Sequence, residues 1–324
     1  MDDVQLSRVS DIAAGRLEFV AERYPDIAAT LDAEAILSDP EIDGVVIATP
    51  PKTHHKLALA ALQAGKHVMV EKPLSTSVAE GEELVEVATR LGRVLAVGHV
   101  FLYASAVARI RSLFDERTVG ELYYISAVRT NVGPPNGQVD VLWDLAPHDI
   151  SIILNLVKEP PKEIFAQAGS FTSSKLVETA FLVLRFADGR LAHIHVGWLT
   201  SNKVRLLRMV CSRGEVVYDD MQQIHKVQVH NPAIDNRVQA SSAGTSLSYS
   251  SGGIWSPSLL SFEPLRAECQ DFVNSIRTRT PPLSDGQAGL EVVRVLEAAS
   301  QCLQNGGRSK LQRFCALAPG GGML

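Results

Sequence analysis

The chain has 324 residues, 46% apolar and 21% charged, with 36 acidic against 31 basic side chains for a net charge of −5. That balance argues against extended disorder and offers no basic face for duplex nucleic acid. No apolar run reaches the ~20 residues of a membrane-spanning helix, and residues 1–20 lack the basic-then-apolar layout of a signal peptide. The four cysteines, Cys211, Cys269, Cys302 and Cys315, form no CxxC pair. They read as reduced thiols of a cytoplasmic protein rather than as a disulfide scaffold or zinc site, and the length points to about two domains.

Taken in chain order, the first hundred residues alternate strands and helices. Residues 4–9 alternate as a short strand before Asp11, and 15–23 and 30–37 carry helical periodicity. Residues 44–48 are a compact apolar run of the kind buried in parallel sheets, stopped by Thr49-Pro-Pro51. An Ala/Leu-rich helix over 53–64, closed by Gly65, leads to strand 67–70, helix 78–91 before Gly92, and strand 94–97. Three β-α repeats predict a doubly wound parallel sheet, ending near residue 98.

The rhythm then changes. Strands are expected at 120–129, 163–168, 178–186, 190–199, 204–211 and 215–218, with Ala187-Asp-Gly-Arg190 as a hairpin turn. Helices return at 150–157, 264–277 and 287–304. A loop rich in Ser, Gly and Asn is expected over 231–258, and a loosely packed tail from Arg308. The predicted class is therefore α/β, with an incomplete Rossmann-like sheet over 1–98. An α+β domain with a large, mostly antiparallel sheet follows over 99–307, and then the tail, 308–324.

A strand ending in an acidic residue and followed by β-α units is the second half of a dinucleotide-binding pattern, in which the acid holds the adenosine ribose hydroxyls. It should follow a G-x-G-x-x-G turn by ~20 residues, but only ten residues precede Asp11 and none form that turn. The strand leading into the turn, central in the order 3-2-1-4-5-6, is missing with it. Either the chain starts at an internal methionine, which the intact chemistry below favours, or it is a variant that has lost cofactor binding. A third reading leaves Asp11 as a mere strand end.

Three segments carry chemistry. Lys72 in Val70-Glu-Lys-Pro-Leu74 follows a strand, at the carboxyl end where open α/β sheets bind ligands. Asp144 and His148 in Val141-Leu-Trp-Asp-Leu-Ala-Pro-His-Asp149 are four apart. Pro147 between them predicts a helix start, with Asp144 as a possible cap and Asp149 a first-turn acid. Histidine titrates near neutrality, as a base that takes and returns an alcohol proton must. The third segment is Ala48-Thr-Pro-Pro-Lys-Thr-His54. Elsewhere, His193 and His195 share a strand face without a third ligand and are given a surface or interface role, not a metal. No metal site, G-x-S-x-G elbow or P-loop is expected.

Together these motifs resemble the glucose–fructose oxidoreductase / inositol dehydrogenase / rhizopine-catabolism (Gfo/Idh/MocA) family, from about residue 4 to about residue 307. The Trp143–Asp149 stretch, with Arg129-Thr-Asn131 ahead of it, looks most like members acting on nucleotide-linked amino sugars. The resemblance implies an oxidoreductase moving hydride between nicotinamide and a ring hydroxyl of a sugar, sugar nucleotide or inositol. His148 would transfer the proton, Lys72 would lie beside the reacting hydroxyl, and Asp144 would bind substrate or tune the histidine. Asp11, Thr49, Pro50, His54, Glu71 and Lys72 would face the cofactor, though Glu71 could be only a local charge partner. Ile12-Ala13 after Asp11 lacks the Ser/Arg pair that welcomes a 2′-phosphate, which favours NAD over NADP. Ala104 stands where close relatives often carry Asn. The resemblance also implies a homodimer or homotetramer. The alternative is a non-catalytic sugar-nucleotide-binding or interaction protein of the same fold.

Overall fold

The computed structural model describes residues 1, 4–133, 139–172, 176–231, 234–235, 240–241, 244–245, 248–249, 252–305 and 308–310. Its first part is β1 (Arg8–Ser10), α1 (Ala14–Arg23), β2 (Ala28–Thr30), α2 (Glu34–Leu37), β3 (Gly44–Ile47), α3 (His54–Gln63), β4 (His67–Glu71), α4 (Val78–Leu91) and β5 (Leu95–Gly98). Strands β3, β4 and β5 form a parallel sheet, with Gly44 opposite His67 and Val68 opposite Leu95. Apolar residues pack on both of its faces, as expected for the strands of a parallel sheet. Val68, Val70 and Val97 pack on Ala58, Ala61 and Leu62 of α3 and on Leu84, Val87 and Ala88 of α4. Met69 and Ala96 point the other way, onto Phe272.

Strands β1 and β2 pair with each other, in parallel, as a separate two-stranded sheet. The break between β1 and β3 falls where the first strand of a doubly wound sheet would lie. Val46 on β3, on the same sheet face as Met69, is 59% exposed. The expected incomplete sheet is thus seen as two pieces with a strand-wide interruption.

After β5 come α5 (Ser105–Asp115), β6 (Leu122–Val132), α6 (Val141–Val157), β7 (Glu163–Gly169), β8 (Thr179–Arg185), β9 (Leu191–Gly197), β10 (Leu199–Cys211), β11 (Gly214–Asp219), β12 (Val227–His230), α7 (Pro264–Thr278) and α8 (Gly286–Gln304). The large sheet has nine strands among the described residues, in the order Ile254–Trp255, β12, β11, β10, β6, β9, β8, β7, Arg308–Lys310. Its neighbours are antiparallel except for the parallel pair β6/β9. One face is buried, through Ile125, Ala127, Leu182, Leu184, Ile194 and Met209, against a core that includes Ile150 and Ile153 of α6 and Leu296 of α8. On the other face Tyr124, Phe181 and Leu191 are exposed.

Helix α8 serves both cores. Leu290 and Val293 join the small parallel sheet, and Val292, Val295 and Leu296 join the large one. Among the sequence expectations, α4 begins at Val78 and ends at Leu91, capped by Ser77 and by Gly92 at φ 61°. The Asp188–Gly189 hairpin joins two antiparallel strands.

Four expectations need correction. Of the helix expected over 30–37, only Glu34–Leu37 is helical, since Thr30 ends β2 and 31–33 form the turn between them. The helix α5 was not foreseen. The segment 231–258 carries short ladders, Ile234–Asp235 with Ser248–Tyr249 and Ala240–Ser241 with Gly244–Thr245. In the tail, Arg308–Lys310 adds a strand to β7, whose free edge supplies the partners, and 311–324 lie outside the described residues.

Gly289 marks the closest approach of α8 to β5. A Cβ there would lie 2.5 Å from Cγ2 of the stiff, fully buried Val97. Gly289→Ala is expected to lower stability by about 1–3 kcal/mol in urea unfolding, the usual cost of overpacking. A change within about 0.5 kcal/mol would show that the contact yields freely.

Candidate active site

Lys72 stands just past β4 and points at helix α6. Its Nζ donates to the backbone carbonyl of Asp144 at 2.7 Å and lies 3.4 Å from Asp144 Oδ1. The two residues are 72 apart in the chain, so this contact ties the end of the parallel sheet to the helix carrying the other catalytic candidates.

Helix α6 begins earlier than Pro147 predicts. Asp140 caps it, its carboxylate accepting from Trp143 N at 3.1 Å, and Pro147 lies inside the helix. Proline lacks the N–H that would reach back four residues, so the carbonyl of Trp143 loses its intrahelical partner. Asp144 is therefore not the cap. Asp149 is not a first-turn acid either. It lies in the third turn, fully buried, and accepts two hydrogen bonds from Arg129, Nε at 2.8 Å and Nη2 at 2.9 Å.

His148 faces the same region. Its Nδ1 is buried and has no hydrogen-bond partner. Burial, and then the positive charges of Lys72, Arg129 and Arg205, hold its pKa well below the ordinary histidine range. The ring is consequently neutral at physiological pH, the form a base needs. Asp144 does not engage Nδ1, and its carboxylate turns to Lys72. Of the two roles expected for Asp144, tuning the histidine by a direct bond has no geometric support.

Phe101 fixes the surroundings of the histidine. Its ring lies edge-on to His148 at 5.0 Å, with the Arg129 guanidinium 4.4 Å and the Arg205 guanidinium 5.4 Å from its centroid. Arg205 is in turn held by Asp220 at 3.1 Å. This gives the site a cationic wall, made partly of charges already satisfied by carboxylates.

The residues expected to face a cofactor divide. Thr49 and Pro50 are exposed beyond the carboxyl end of β3, as expected. His54 is fully buried, and its ring nitrogens lie 2.7 Å from the carbonyl oxygens of Pro73 and Thr49. Neither nitrogen is left for a cofactor, so the direct contact expected of His54 is replaced by a staple between the loops after β3 and β4. Glu71 also acts locally. Its Oε2 accepts from Lys72 N at 3.3 Å and rests where a Cβ on residue 98 would come within 3.0 Å, the space Gly98 leaves. Beside it Glu268 is buried with neither oxygen partnered, pushed up to about 8 by burial and then by the charge of Glu71.

Asp11 lies apart from this cluster, after β1. It accepts from Ala13 N at 2.8 Å and pairs with Arg16 at 3.1 Å, and the backbone hydrogen bond followed by the arginine keeps it ionised to lower pH than usual. The residues present suit a dinucleotide at its two ends, Asp11 for a ribose and Thr49, Pro50 and Lys72 for the reacting end. No glycine-rich turn bridges them among the described residues.

Sequence reasoning missed His99, Phe101, Arg205 and Glu268. His99 directly follows β5, as Lys72 follows β4, so the carboxyl-end rule would have found it. Nothing local marks the others, which depend on packing between distant elements.

Comparison with known proteins decides the family. Residues 1–99 match the description "Oxidoreductase family, NAD-binding Rossmann fold", and residues 107–217 match the "GFO/IDH/MocA C-terminal domain". The chain belongs to the GFO/IDH/MocA family of NAD-binding oxidoreductases. It is 29% identical to the UDP-N-acetylglucosamine 3-dehydrogenase of Acidithiobacillus ferrooxidans over 296 residues, covering 89% of this chain and 88% of that one. It is 23% identical to the myo-inositol 2-dehydrogenase of Thermotoga maritima, with 96% and 92% covered. The crystal structure of the Acidithiobacillus ferrooxidans enzyme superposes with a TM-score of 0.80 at 24% identity, over 94% of this chain and 91% of that one. A levoglucosan dehydrogenase solved with NADH and levoglucosan gives 0.80 at 19%, over 95% and 90%. At these identities the two structures support the fold alone. Among the described residues no helix is long and apolar enough to cross a membrane.

Two stability measurements test the site's framework. Asp149→Ala strands a buried guanidinium and is expected to cost about 3–5 kcal/mol in urea unfolding, while Arg129→Met with Asp149→Leu costs far less. Equal losses would mean that the pair's charges do not matter. Glu268 keeps its proton in the folded chain up to about pH 8 but loses it near pH 4.5 when unfolded. The folded state thus binds more protons, and stability should fall as pH rises from about 5 to 9. Glu268→Gln should gain on the parent over that window, and parallel curves would refute the assignment.

Proposed function

We propose that this chain is a cytoplasmic, NAD-dependent dehydrogenase of a sugar or polyol ring hydroxyl, with a UDP-linked amino sugar as the favoured substrate. The observation that carries this reading is the meeting of Lys72, Asp144 and a neutral His148 at one place, between the end of a parallel sheet and α6. Residues 1–98 would carry the nucleotide side and 99–307 the substrate side. The two curated relatives, a UDP-N-acetylglucosamine and a myo-inositol dehydrogenase, support a ring alcohol as substrate.

The chain's residues divide the work of oxidising such an alcohol. The Lys72 ammonium, held by Asp144, donates to the hydroxyl oxygen and stabilises the negative charge that grows there. His148 removes the hydroxyl proton, and its low basicity is offset by the lysine, which makes the alcohol more acidic. Phe101 and the Arg129–Asp149 pair keep the imidazole oriented, so reorganisation at the reactive step is small. Bound NAD would supply the hydride acceptor, and Asp11 would hold its ribose while Thr49 and Pro50 would line its reacting end. Asp11, without an adjacent Ser/Arg pair, favours NAD over NADP.

The open face of the large sheet, with Tyr124, Phe181, Leu191 and the stacked Phe181–His195 pair at 4.3 Å, is where we place a second copy of the chain, giving a homodimer or homotetramer. A second functional reading follows from the interrupted sheet between β1 and β3: a sugar-nucleotide-binding protein without catalysis.

Incubation of the purified chain with NAD and UDP-N-acetylglucosamine, or with myo-inositol, should raise NADH absorbance. His148→Asn and Lys72→Ala should each lower kcat by about 10²-fold or more, the usual worth of a positioned acid–base or electrostatic group. Calorimetry that detects sugar-nucleotide binding but no NAD(H) binding would replace this reading by the second.

A further inference from the structure

Strands β6 and β10 put two guanidiniums side by side. Arg129 and Arg205 stand directly opposite each other in the ladder. Both follow the alternation that sends Ile125, Ala127, Leu207 and Met209 into the core, so both turn to the α6 face of the sheet. Like charges in that relation repel, and each needs a counter-charge. Arg129 has one to itself. Asp149 takes two of its N–H groups, and the arginine side chain is only 4% exposed.

Arg205 is provided for differently. Its Nη1 donates to one oxygen of Asp220 at 3.1 Å, and the other oxygen of that carboxylate accepts from Lys226 at 2.9 Å. Arg129, Arg205 and Lys226 thus meet two carboxylates between them, and the group keeps one positive charge. That charge is reachable at Arg205. Its side chain is 32% exposed, and Asp220 engages one of its five N–H donors. A side chain kept only to fasten β10 to Asp220 has no need of this surplus, because Lys226 already holds the carboxylate.

The surplus lies beside the reacting centre. The Arg205 guanidinium is 5.4 Å and the His148 ring 5.0 Å from the centroid of Phe101, so the two are no more than about 10 Å apart. Resting against that ring and held at one corner by Asp220, the guanidinium is pre-oriented. Little side-chain freedom is left to lose when it grips an oxyanion.

We propose that Arg205 recognises an oxyanion carried by the substrate, a phosphate or a carboxylate, and so selects acidic sugars over neutral polyols. The inference rests on the dehydrogenase reading for the hydroxyl that reacts, and on the charge arrangement for the binding. With a hydrogen bond at each end, about 10 Å is the span of one six-membered ring bearing a hydroxyl at His148 and an oxyanion at Arg205. Arg129 does not serve, because it is buried and its charge is spent on Asp149. Lys72 is turned to Asp144 and, in the reaction, to the hydroxyl. UDP-N-acetylglucosamine carries such an oxyanion and myo-inositol does not, so the two compounds separate the cases.

The first test needs no cofactor. In calorimetry of the full chain, UDP-N-acetylglucosamine or glucuronate should bind more tightly than myo-inositol. Arg205→Gln should weaken the tighter of these anionic sugars by about 10-fold or more, the usual worth of a charge-assisted hydrogen bond, and leave myo-inositol within about threefold. Arg205→Lys, which keeps the charge but not the fork, should recover part of the loss. A larger loss with UDP-N-acetylglucosamine places a phosphate at Arg205, and a larger loss with glucuronate places a carboxylate there. Equal losses for all three compounds, or no loss, would make Arg205 a mere fastener of β10 and overturn the proposal. So would a parent chain that binds neither anionic sugar more tightly than myo-inositol. If Arg205→Gln does not fold, Lys226→Met at a half-buried position takes its place. Removing that cation lets Asp220 neutralise Arg205, and anionic binding should weaken by about two- to threefold with myo-inositol unchanged. In turnover, Arg205→Gln should raise KM for the anionic sugar by about tenfold with kcat little changed. Failure of any chain to form NADH would refute the dehydrogenase reading and leave the binding result standing.

Discussion

The contact between the Lys72 ammonium and Asp144 is the joint on which this site depends. It places a charge from the end of a parallel strand against the carboxylate-bearing first turn of a buried helix, just before Pro147. The charge has two effects. In the proposed reaction it is the electrophilic partner for a developing alkoxide, and it adds to burial, the larger cause, in holding His99 and His148 below the ordinary histidine range. A charge in so confined a place is worth more than in water, because little solvent is present to screen it. The remaining groups can be understood as arrangements around it. Arg129 is neutralised by Asp149, Arg205 shares Asp220 with Lys226, and Phe101 lies between the two guanidiniums and the edge of His148.

Much of this arrangement is legible in the amino-acid sequence where the signal is local. Parallel strands appear as short apolar runs, α4 is bounded by a serine cap and a left-handed glycine, and the Ala187–Arg190 turn marks a hairpin. The chemistry-bearing lysine and histidine are likewise visible, from position after a strand and from a motif. What local signals do not carry is the effect of tertiary partners. Pro147 reads as a helix start because a proline in an isolated helix is costly, yet α6 tolerates it within a helix packed on the large sheet. Asp149 reads as a first-turn acid because its arginine partner lies 20 residues away on β6. His54 reads as a ligand contact because no local pattern shows that two backbone carbonyls consume its ring.

The interrupted parallel sheet bears on cofactor binding in a specific way. Asp11, proposed for the ribose, and the residues proposed for the reacting end stand on either side of the break, after β1 and after β3 and β4. Their spacing depends on whatever holds the two sheets in register. At present that is done by side chains, Arg8 to Asp39 at 2.8 Å and Lys66 to the Asp39 carbonyl, and not by a continuous hydrogen-bonded ladder. The site for the reacting atoms does not share this weakness, because β4, β5, α6 and α8 are joined by extensive apolar packing.

The double allegiance of α8 has a mechanical meaning. Leu290 and Val293 on one side and Val292, Val295 and Leu296 on the other cannot leave one core without disturbing the second. A wide scissor-like opening of the two halves would have to shear this helix from one of its partners. Access to the reacting atoms is therefore better served by movement of surface loops than by parting of the halves.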